Sequence, residues 1–446
     1  MPVVTTLADW ARGPLVALAG AWERIWFQNR TTVPLEVARI GIGALLLENY
    51  GLATPYLFQF WGEAGWMPRA VVAKYVDHPW MQSIFFYFTS QWQLLAFHVI
   101  FLLSALAFMV GWRTRWVKWI VLLGHLSYFH RNIPLIYGVD RILAALLVIL
   151  CVAPIGRAMS LDRVRAVRAV KRGDLNASPA PFTSVWAGAC IRLMQLQMAT
   201  LFFFSAVSKI RGDDWWNGDA MWVVFSHYTY YNRFLLGLFA SHYWLVDVAT
   251  YGTLLVEIAF PFLIWQRATR PYLLAAAIFL HVQIAVFMGM PYFSATMIMG
   301  HMSFLRQEWL QRLAAAWKRK FGDLEMLYDG DCGFCKRSMV WFMAFDGLRQ
   351  ISARDFRRNP SPVVASELVE KALYLVLPDS RALPGFEAYR YAVLRVPGLW
   401  WMVPLFYVPV LSRLLGHPIY NWVAANRSRL SALTRPRTKA LQQQET

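Results

Sequence analysis

The 446-residue chain is 58% hydrophobic and only 16% charged, whereas soluble globular domains are about 45–50% apolar and about 25% charged. Together with 22 Trp, 19 Tyr and 30 Phe, this composition excludes a single soluble domain and predicts a membrane protein with aromatic residues at the headgroup level. The formal net charge is +18, but the basic residues fall mainly in short loops between apolar runs, where they act as orientation signals, so we expect no nucleic-acid partner.

Apolar runs long enough to cross a lipid bilayer recur along the first two thirds of the chain. A spanning helix needs about 17–25 residues, and by this measure we predict about eight spans. A short N-terminal segment, residues 1–24, precedes them, and it lacks the pattern of a cleaved signal peptide. The predicted spans lie near Pro34–Tyr50, Gln93–Gly111, Arg115–His130, Ile136–Ile155, Val185–Val207, Tyr243–Gln266, Pro271–Gly289 and Tyr292–Leu305.

The basic loops predict the orientation of these spans. Clusters of Arg and Lys follow each even-numbered span, at residues 113–118, 157–172, 267–270 and 306–320. Because cytoplasmic loops carry the excess of basic residues, both termini are expected in the cytoplasm of a bacterial cell, with the protein in the inner membrane. The same rule places residues 209–242 on the outer side.

The composition changes after Lys320. Leu324–Tyr328 is typical of a short buried strand, Cys332–Phe345 of a helix and Lys371–Leu377 of another strand. We therefore predict an α/β domain over residues 324–430, joined by a basic linker, 307–323, and followed by a disordered tail, 431–446. The apolar, Pro-rich stretch 397–422 is too short and broken for another span, and it predicts a helix lying on the domain or on the membrane surface.

The strongest local signal is the run Asp329-Gly330-Asp331-Cys332-Gly333-Phe334-Cys335-Lys336, where a strand gives way to a helix. A thiol at a helix N-terminus is stabilised as the thiolate, and a second thiol one turn later can resolve a mixed disulfide. Asp329 and Asp331 disfavour the thiolate, whereas Lys336 favours it. A zinc site would need two more ligands and a calcium loop more acidic oxygens, so no metal is expected. We predict that Cys332 attacks and Cys335 resolves, with Cys332 the more exposed.

The stretch Tyr328–Cys335, together with Leu383–Arg390 and Tyr420–Arg427, resembles the DCC family of small thiol-disulfide oxidoreductases. The resemblance implies a thioredoxin-like fold and dithiol/disulfide exchange at Cys332 and Cys335. It does not identify the thiol or disulfide partner.

Several ionisable residues fall within the predicted spans, where charge is costly and often functional. Lys209 ends a span before Asp213 and Asp214, and it is either a general base with a desolvated amine or an anchor that reaches the interface. Asp140 is expected to pair with Arg141 or Arg131. The other candidates, each either functional or a cross-link between helices, are Glu48, His98, His125, Asp247, Glu257 and His281.

Arg39–Gly43, Phe204–Gly218, Tyr251–Glu257 and His281 with Phe287–Tyr292 resemble the HTTM domain, the membrane domain of vitamin K-dependent gamma-glutamyl carboxylase and many bacterial proteins. The resemblance covers residues 25–306. It implies that Lys209 occupies the position of the catalytic base and His281 that of a shared histidine.

Around these two residues the resemblance implies a pocket for a substrate or quinone. The chain departs from the carboxylase between Arg131 and Gly138, where a functional histidine of that enzyme is replaced by the Asn132–Leu135 run. The residues expected to line the pocket are Glu257, Asp247, Arg131, Asn132, Tyr137 and Asp140.

We thus predict a polytopic α-helical membrane bundle with a C-terminal α/β thioredoxin-like domain, acting as a membrane-bound redox enzyme. The membrane site would take a quinone of the menaquinone, ubiquinone or vitamin K type, or another hydrophobic substrate. Two alternatives remain: a non-catalytic scaffold or transport module with a redox-sensing domain, and a carboxylase-like enzyme that modifies peptides. The oligomeric state is not predicted.

Overall fold

A computed structural model describes residues 7–72, 74, 81–177, 179–426 and 429–430. The chain divides into two compact units. The first, Met1–Asp162 with Pro181–Leu305, is called the membrane unit, and the second, Arg163–Ala180 with Arg306–Thr446, is called the thiol unit. The tail predicted at 431–446 lies outside the described residues.

The membrane unit is helical apart from a two-residue β-ladder, and one helix, α8, runs from it into the thiol unit. The first eight helices are α1 Leu7–Trp26, α2 Val33–Leu52, α3 Leu57–Trp61, α4 Arg69–Val72, α5 Gln91–Val110, α6 Thr114–Arg131, α7 Gly138–Val152 and α8 Leu161–Lys171. The next seven are α9 Val185–Ile210, α10 Asp213–Trp216, α11 Ala220–Ser226, α12 Arg233–Ser241, α13 Trp244–Leu263, α14 Arg270–Phe287 and α15 Pro291–His301. Antiparallel strands β1, Arg30–Thr31, and β2, Thr183–Ser184, form the ladder.

Four of the described helices, α5, α9, α13 and α14, are long and apolar enough to cross a membrane. Helices also occupy the other four predicted spans, but α7 has only 15 residues and α15 only 11. Helices α2 and α6 each carry three charged residues, namely Glu36, Arg39 and Glu48 in α2 and Arg115, Lys118 and Arg131 in α6. The predicted count of about eight spans is therefore not confirmed by helix length and composition.

Two glycines of α2 allow its neighbours to approach closely. A Cβ atom at Gly43 would lie 2.7 Å from the Met109 side chain of α5, and one at Gly41 would lie 1.9 Å from the Met299 sulfur of α15. Small residues at such contacts bring helix backbones together and increase the packing area. The Arg39–Gly43 motif thus places α2 between α5 and α15.

The charged side chains of Glu36 and Arg39 are fully buried and paired, with Arg39 Nε 2.7 Å from Glu36 Oε2. The Arg39 guanidinium also donates to the carbonyls of Phe108, Met109 and Met159. The second carboxylate oxygen of Glu36 accepts the N–H groups of Arg157 and Ala158. One satisfied ion pair thus joins the start of α2, the end of α5 and the loop after α7.

The thiol unit is built on a four-stranded sheet in the order β4-β3-β5-β6. Its strands are β3 Leu324–Tyr328, β4 Ile351–Asp355, β5 Tyr374–Val376 and β6 Ala382–Pro384. Strand β3 is parallel to β4 and antiparallel to β5, which is antiparallel to β6. The predicted strand at 324–328 matches β3, and the helix predicted at Cys332–Phe345 begins one residue later, at Gly333.

Seven helices surround this sheet: α16 Gln307–Phe321, α17 Gly333–Phe345, α18 Ser366–Lys371, α19 Gly385–Arg395, α20 Val403–Tyr407, α21 Pro409–Leu411 and α22 His417–Ala425. Most of the predicted linker 307–323 is therefore helix α16. The main core packs Met339 and Val340 of α17 and Ala388 of α19 against Met326 and Leu375 of the sheet.

A segment between two predicted spans completes the thiol unit. Leu175 is buried in its main core, and the Asn176 side chain exchanges two hydrogen bonds of 2.9 Å with the backbone of Ala353 in edge strand β4. Lys171 holds the segment in shape by donating to the carbonyls of Leu175 and Ala177. The sequence predicts only a basic cytoplasmic loop here, whereas the segment covers a sheet edge that would otherwise be open.

We expect Arg39→Met to destabilise the membrane unit strongly, because it leaves the Glu36 carboxylate buried without its counter-ion. Breaking one partner of a buried pair costs about 3–5 kcal/mol. Arg69→Met is the matched control, since Arg69 pairs with Glu63 at a solvent-exposed position and such pairs contribute about 0–1 kcal/mol. Thermal unfolding of the purified variants in detergent measures the difference, and equal losses in the two variants would contradict the role of the buried pair.

Candidate functional site

Cys332 lies at the junction between β3 and helix α17, where it is the N-cap residue. The N–H of Cys335 donates to its sulfur at 3.3 Å, and the N–H of Lys336 donates to its carbonyl oxygen at 3.0 Å. Neither cysteine forms a disulfide and both are partly buried, so the structure does not show the difference in exposure that the sequence predicts. The hydrogen bond to Cys332 and the helix dipole distinguish them instead, because both favour a thiolate at Cys332.

Arg357 neutralises the acidic residues next to Cys332. Its guanidinium donates to both oxygens of Asp329, at 2.7 and 3.2 Å. It also lies 3.3 Å from Asp331 and 3.4 Å from Glu370. The hydrogen bond from Arg357 lowers the pKa of Asp329, and the same bond raises the pKa of Arg357. The predicted thiol environment contained Asp329, Asp331 and Lys336 but not Arg357, which enters from the turn after β4 and is distant in sequence.

A tyrosine pair packs against helix α17, which carries both cysteines. The Tyr389 ring of α19 lies 5.8 Å from that of Phe342 in α17 and 6.0 Å from that of Tyr420 in α22. Burial raises the pKa of Tyr389, and Tyr420 and Cys335 add to this effect. The helix that carries the thiols therefore borders the aromatic contact between α19 and α22.

In the membrane unit, Lys209 of α9 forms an ion pair with Glu257 of α13, with Nζ 2.9 Å from Oε2. Lys209 also donates to Ser205 Oγ at 2.7 Å, and its Nζ lies 5.3 Å from the centroid of the Trp215 ring. Glu257 is 8% exposed. The structure thus brings together two of the predicted residues in one ion pair.

His281 lies in a cluster of histidine and phenylalanine rings. Its ring is 5.4 Å from the ring of His301 and 6.0 Å from that of Phe202, which stacks on Phe260 at 4.2 Å. Both histidines are buried. Phe202 precedes Lys209 by two turns of α9, and Phe260 follows Glu257 by about one turn of α13. Helices α9 and α13 therefore carry both the ion pair and the two phenylalanines of the cluster.

Among the described residues, neither ring nitrogen of His281 and only one of His301 has a hydrogen-bond partner. His301 Nδ1 lies 2.6 Å from the Met297 carbonyl, which can only accept, so Nδ1 carries the proton and Nε2 is an acceptor. Leaving such groups unsatisfied costs about 1–3 kcal/mol each. His301 was not among the residues predicted from the sequence, although its position near the end of the last apolar run was a signal for it.

Four other predicted pocket residues stabilise the turn between α6 and α7 and its surroundings. Arg131 donates to the carbonyls of Gly62 and Met67, and Asn132 donates to that of Phe60. The Asp140 carboxylate accepts the N–H of Tyr137 at the start of α7. The expected ion pair with Arg141 or Arg131 is not among the contacts of Asp140 in the described residues. None of these contacts involves Lys209 or His281.

The remaining candidates lie elsewhere in the membrane unit, and of these Glu48 of α2 is exposed. Asp247 lines an open groove along α13 with Tyr251 and Ile258. His98 bonds the hydroxyls of Tyr128 and Thr54, and His125 bonds the Tyr50 hydroxyl and the Asp140 carbonyl. These two histidines have all their ring nitrogens partnered and cross-link helices. Within the described parts of the chain, no group of three or more His, Cys, Asp or Glu side chains could hold a metal ion.

The helices and the two sites define a membrane protein that carries a small α/β domain with a Cys-x-x-Cys pair at a helix N-terminus. The HTTM domain matches residues 27–309, more than half of the chain, so the protein belongs to the HTTM domain family. Residues 326–433 match the DCC1-like thiol-disulfide oxidoreductase family. Both resemblances read from the sequence are confirmed. No curated protein and no solved structure matches the chain.

Arg357→Gln is expected to slow alkylation of Cys332 at pH 7 by about two- to tenfold, because unpaired carboxylates next to the sulfur disfavour its thiolate. The control is Arg381→Gln, which breaks an exposed Arg–Asp pair in the same unit, 2.7 Å long. Mass spectrometry after limiting iodoacetamide measures the labelling of Cys332 in each variant.

The same variants give a pH test. Since the folded-state pKa of Asp329 is lowered, its stabilising effect is present above the unfolded pKa, about 3.9, and is lost as the pH falls through the lower folded value. Arg357→Gln should remove this part of the acid dependence of unfolding and Arg381→Gln should leave it in place.

In the alkylation experiment, identical labelling rates of Cys332 in the two variants would show that Arg357 does not act on the thiol.

Proposed function

We propose that the protein is a membrane-bound thiol-disulfide oxidoreductase in which Cys332 attacks and Cys335 resolves. The observation that carries this proposal is the sulfur of Cys332 at the N-cap of α17, accepting the N–H of Cys335. The Cys332 thiolate attacks one sulfur of a partner disulfide, and the other sulfur leaves as a thiolate. Cys335 then attacks the Cys332 sulfur, which releases the reduced partner and leaves a Cys332–Cys335 disulfide.

We propose that the membrane unit holds a quinone, of the menaquinone, ubiquinone or vitamin K type, or another hydrophobic substrate, between the Lys209–Glu257 pair and the His281–His301 cluster. The N–H of His281 can donate to a quinone carbonyl oxygen, the acceptor Nε2 of His301 can accept from a quinol hydroxyl, and Phe202 and Phe260 supply apolar walls. A bound quinone would supply two-electron, two-proton chemistry. The acceptor nitrogen of His301 can hold a hydroxyl proton, while a proton passed from Lys209 to Glu257 leaves a neutral amine able to act as a base.

A second candidate function is a non-catalytic scaffold or transport module with a redox-sensing domain. It is favoured by the Lys209–Glu257 ion pair itself, because a charged lysine paired with a carboxylate can cross-link α9 and α13 without taking part in any reaction. A carboxylase-like role in peptide modification rests on Lys209 and His281 alone, since Asn132 in the departing segment is bound to a backbone carbonyl.

We propose the inner membrane of a bacterium as the location, with both termini in the cytoplasm. The support is the placement of basic clusters at residues 113–118, 157–172, 267–270 and 306–320. The Cys332–Cys335 pair would then lie in a reducing compartment, which suits a thiol that must be reduced in order to attack.

Replacing Cys335 with Ser should trap mixed disulfides through Cys332, because the attack step survives and the release step is lost. Cys332→Ser should abolish trapping, and the double variant serves as the background. Non-reducing gels of membranes, followed by mass spectrometry of the trapped species, provide the measurement. Trapping that appears only when Cys332 is replaced would reverse the two roles, and no trapping in either variant would argue for a structural pair.

Lys209→Met should reduce oxidation of menadiol by oxygen, catalysed by the purified protein in lipid nanodiscs, by about 10²-fold or more, the range of general-base effects. Lys118→Met is the matched control, since Lys118 also lies in a predicted span but donates to the Ala153 carbonyl, away from the cluster. Absorbance of the product quinone gives the rate. Equal rates for wild type and Lys209→Met, with a loss of thermal stability in the variant, would instead support the scaffold.

A further inference from the structure

The last helices of the thiol unit have one buried face and one exposed apolar face. Over Pro397–Ala425, the residues Leu399, Phe406 and Gly416 are buried, and the first two belong to the main core. On the other side, large apolar side chains remain open to solvent. Those with 60–68% of their surface exposed are Trp401, Val410, Leu414 and Trp422, and those with 42–52% exposed are Trp400, Val408, Leu415 and Ile419.

This exposed face is too apolar for contact with water. Soluble proteins seldom expose contiguous apolar patches larger than a few hundred Å2. Between Pro397 and Asn426, Arg413 is the single Lys, Arg, Asp or Glu residue in the sequence. The face therefore requires a cover that is apolar and that tolerates a positive charge.

The backbone of the segment argues against insertion through a bilayer as one straight span. The helical stretches Pro397–Tyr407 and Pro409–Ala425 together are apolar enough for a span, but they meet at an angle of 79°. Pro404 and Pro409 cannot donate backbone hydrogen bonds near this bend. Exposed irregular backbone is not tolerated in the hydrocarbon core, whereas at the lipid–water interface its polar groups can bond to water and headgroups.

We infer that the exposed face of residues 397–425 lies in the interfacial layer of the lipid bilayer, with its apolar side chains at the boundary between headgroups and acyl chains. Amphipathic segments of this kind sit about 5–10 Å into that boundary. Trp400 and Trp401 near one end and Trp422 near the other are suited to the headgroup level. The partner surface is an anionic lipid leaflet, because the segment lacks acidic residues and the chain beyond it carries Arg435, Arg437 and Lys439.

The same segment contacts the helix that carries the thiols. The Trp401 ring lies 6.3 Å from that of Phe345 at the end of α17, and the Tyr420 ring lies 6.0 Å from that of Tyr389, which packs on Phe342 of α17. Lipid contact through the segment would thus hold the Cys332–Cys335 pair close to the membrane surface. This inference concerns the surface of the thiol unit and does not depend on the chemistry proposed for either site.

The test places a fluorescent amino acid at position 414 of the full-length protein in nanodiscs of phosphatidylcholine and phosphatidylglycerol. Quenching is measured with a shallow nitroxide lipid, with a lipid that carries the nitroxide at the bilayer centre, and with aqueous iodide. Position 368 is the matched control, because Leu368 is 47% exposed on helix α18 of the same unit. Position 419 is a second test site, in case a fluorophore at 414 disturbs folding.

We expect the shallow lipid to quench positions 414 and 419 most strongly, and iodide to quench them about threefold less than position 368, as for an interfacial helix. Leu415→Glu should restore quenching of position 414 by iodide. Three results would overturn the inference: quenching by iodide equal to that of position 368, strongest quenching by the deep lipid, which indicates a span, or protection from all three quenchers, which indicates a protein partner.

Discussion

The membrane unit depends on the satisfaction of buried charge, and the Glu36–Arg39 pair is its clearest case. Burying either charge alone would cost a large desolvation free energy, but each side-chain nitrogen and oxygen atom of this pair has a partner. Apart from the two side chains themselves, those partners are backbone groups at the end of α5 and in the loop after α7, so the pair also fixes the position of both. Replacing both charges by apolar groups would remove this positional information even if it preserved the packing.

Similar rules separate structural polar residues from candidate functional ones in the same unit. Arg131 is buried but donates to the carbonyls of Gly62 and Met67. Each ring nitrogen of His98 and His125 likewise has a partner, a tyrosine hydroxyl on one side and either the Thr54 hydroxyl or the Asp140 carbonyl on the other. His281 and the Nε2 atom of His301 lack such partners among the described residues, although they are equally buried. Hydrogen-bond satisfaction, more than residue type or depth, therefore distinguishes the candidate site from the scaffold around it.

The thiol unit relies on residues that are distant in sequence from its motif. Arg357 pairs with Asp329 and Asp331, so both carboxylates of the motif have a positive partner beside Cys332. Asn176 and Leu175, from the segment between two predicted spans, cover the edge strand β4 and fill the core. The α/β unit is thus completed by residues outside the part of the chain that matches the thiol-disulfide oxidoreductase family.

The amino-acid sequence by itself determined the class of protein, because apolar composition and a strand-to-helix Cys-x-x-Cys motif are local signals that need no knowledge of neighbours. It likewise indicated both families and the strand at Leu324–Tyr328. The predicted count of about eight spans is not confirmed, since charged residues interrupt the apolar runs that became α2 and α6. Only the tertiary structure decided the partners: Glu257 for Lys209, His301 for His281, Arg357 for Asp329 and Asn176 for β4. These contacts join side chains from separate helices or strands, and their distances are set by packing, which leaves no pattern along the chain.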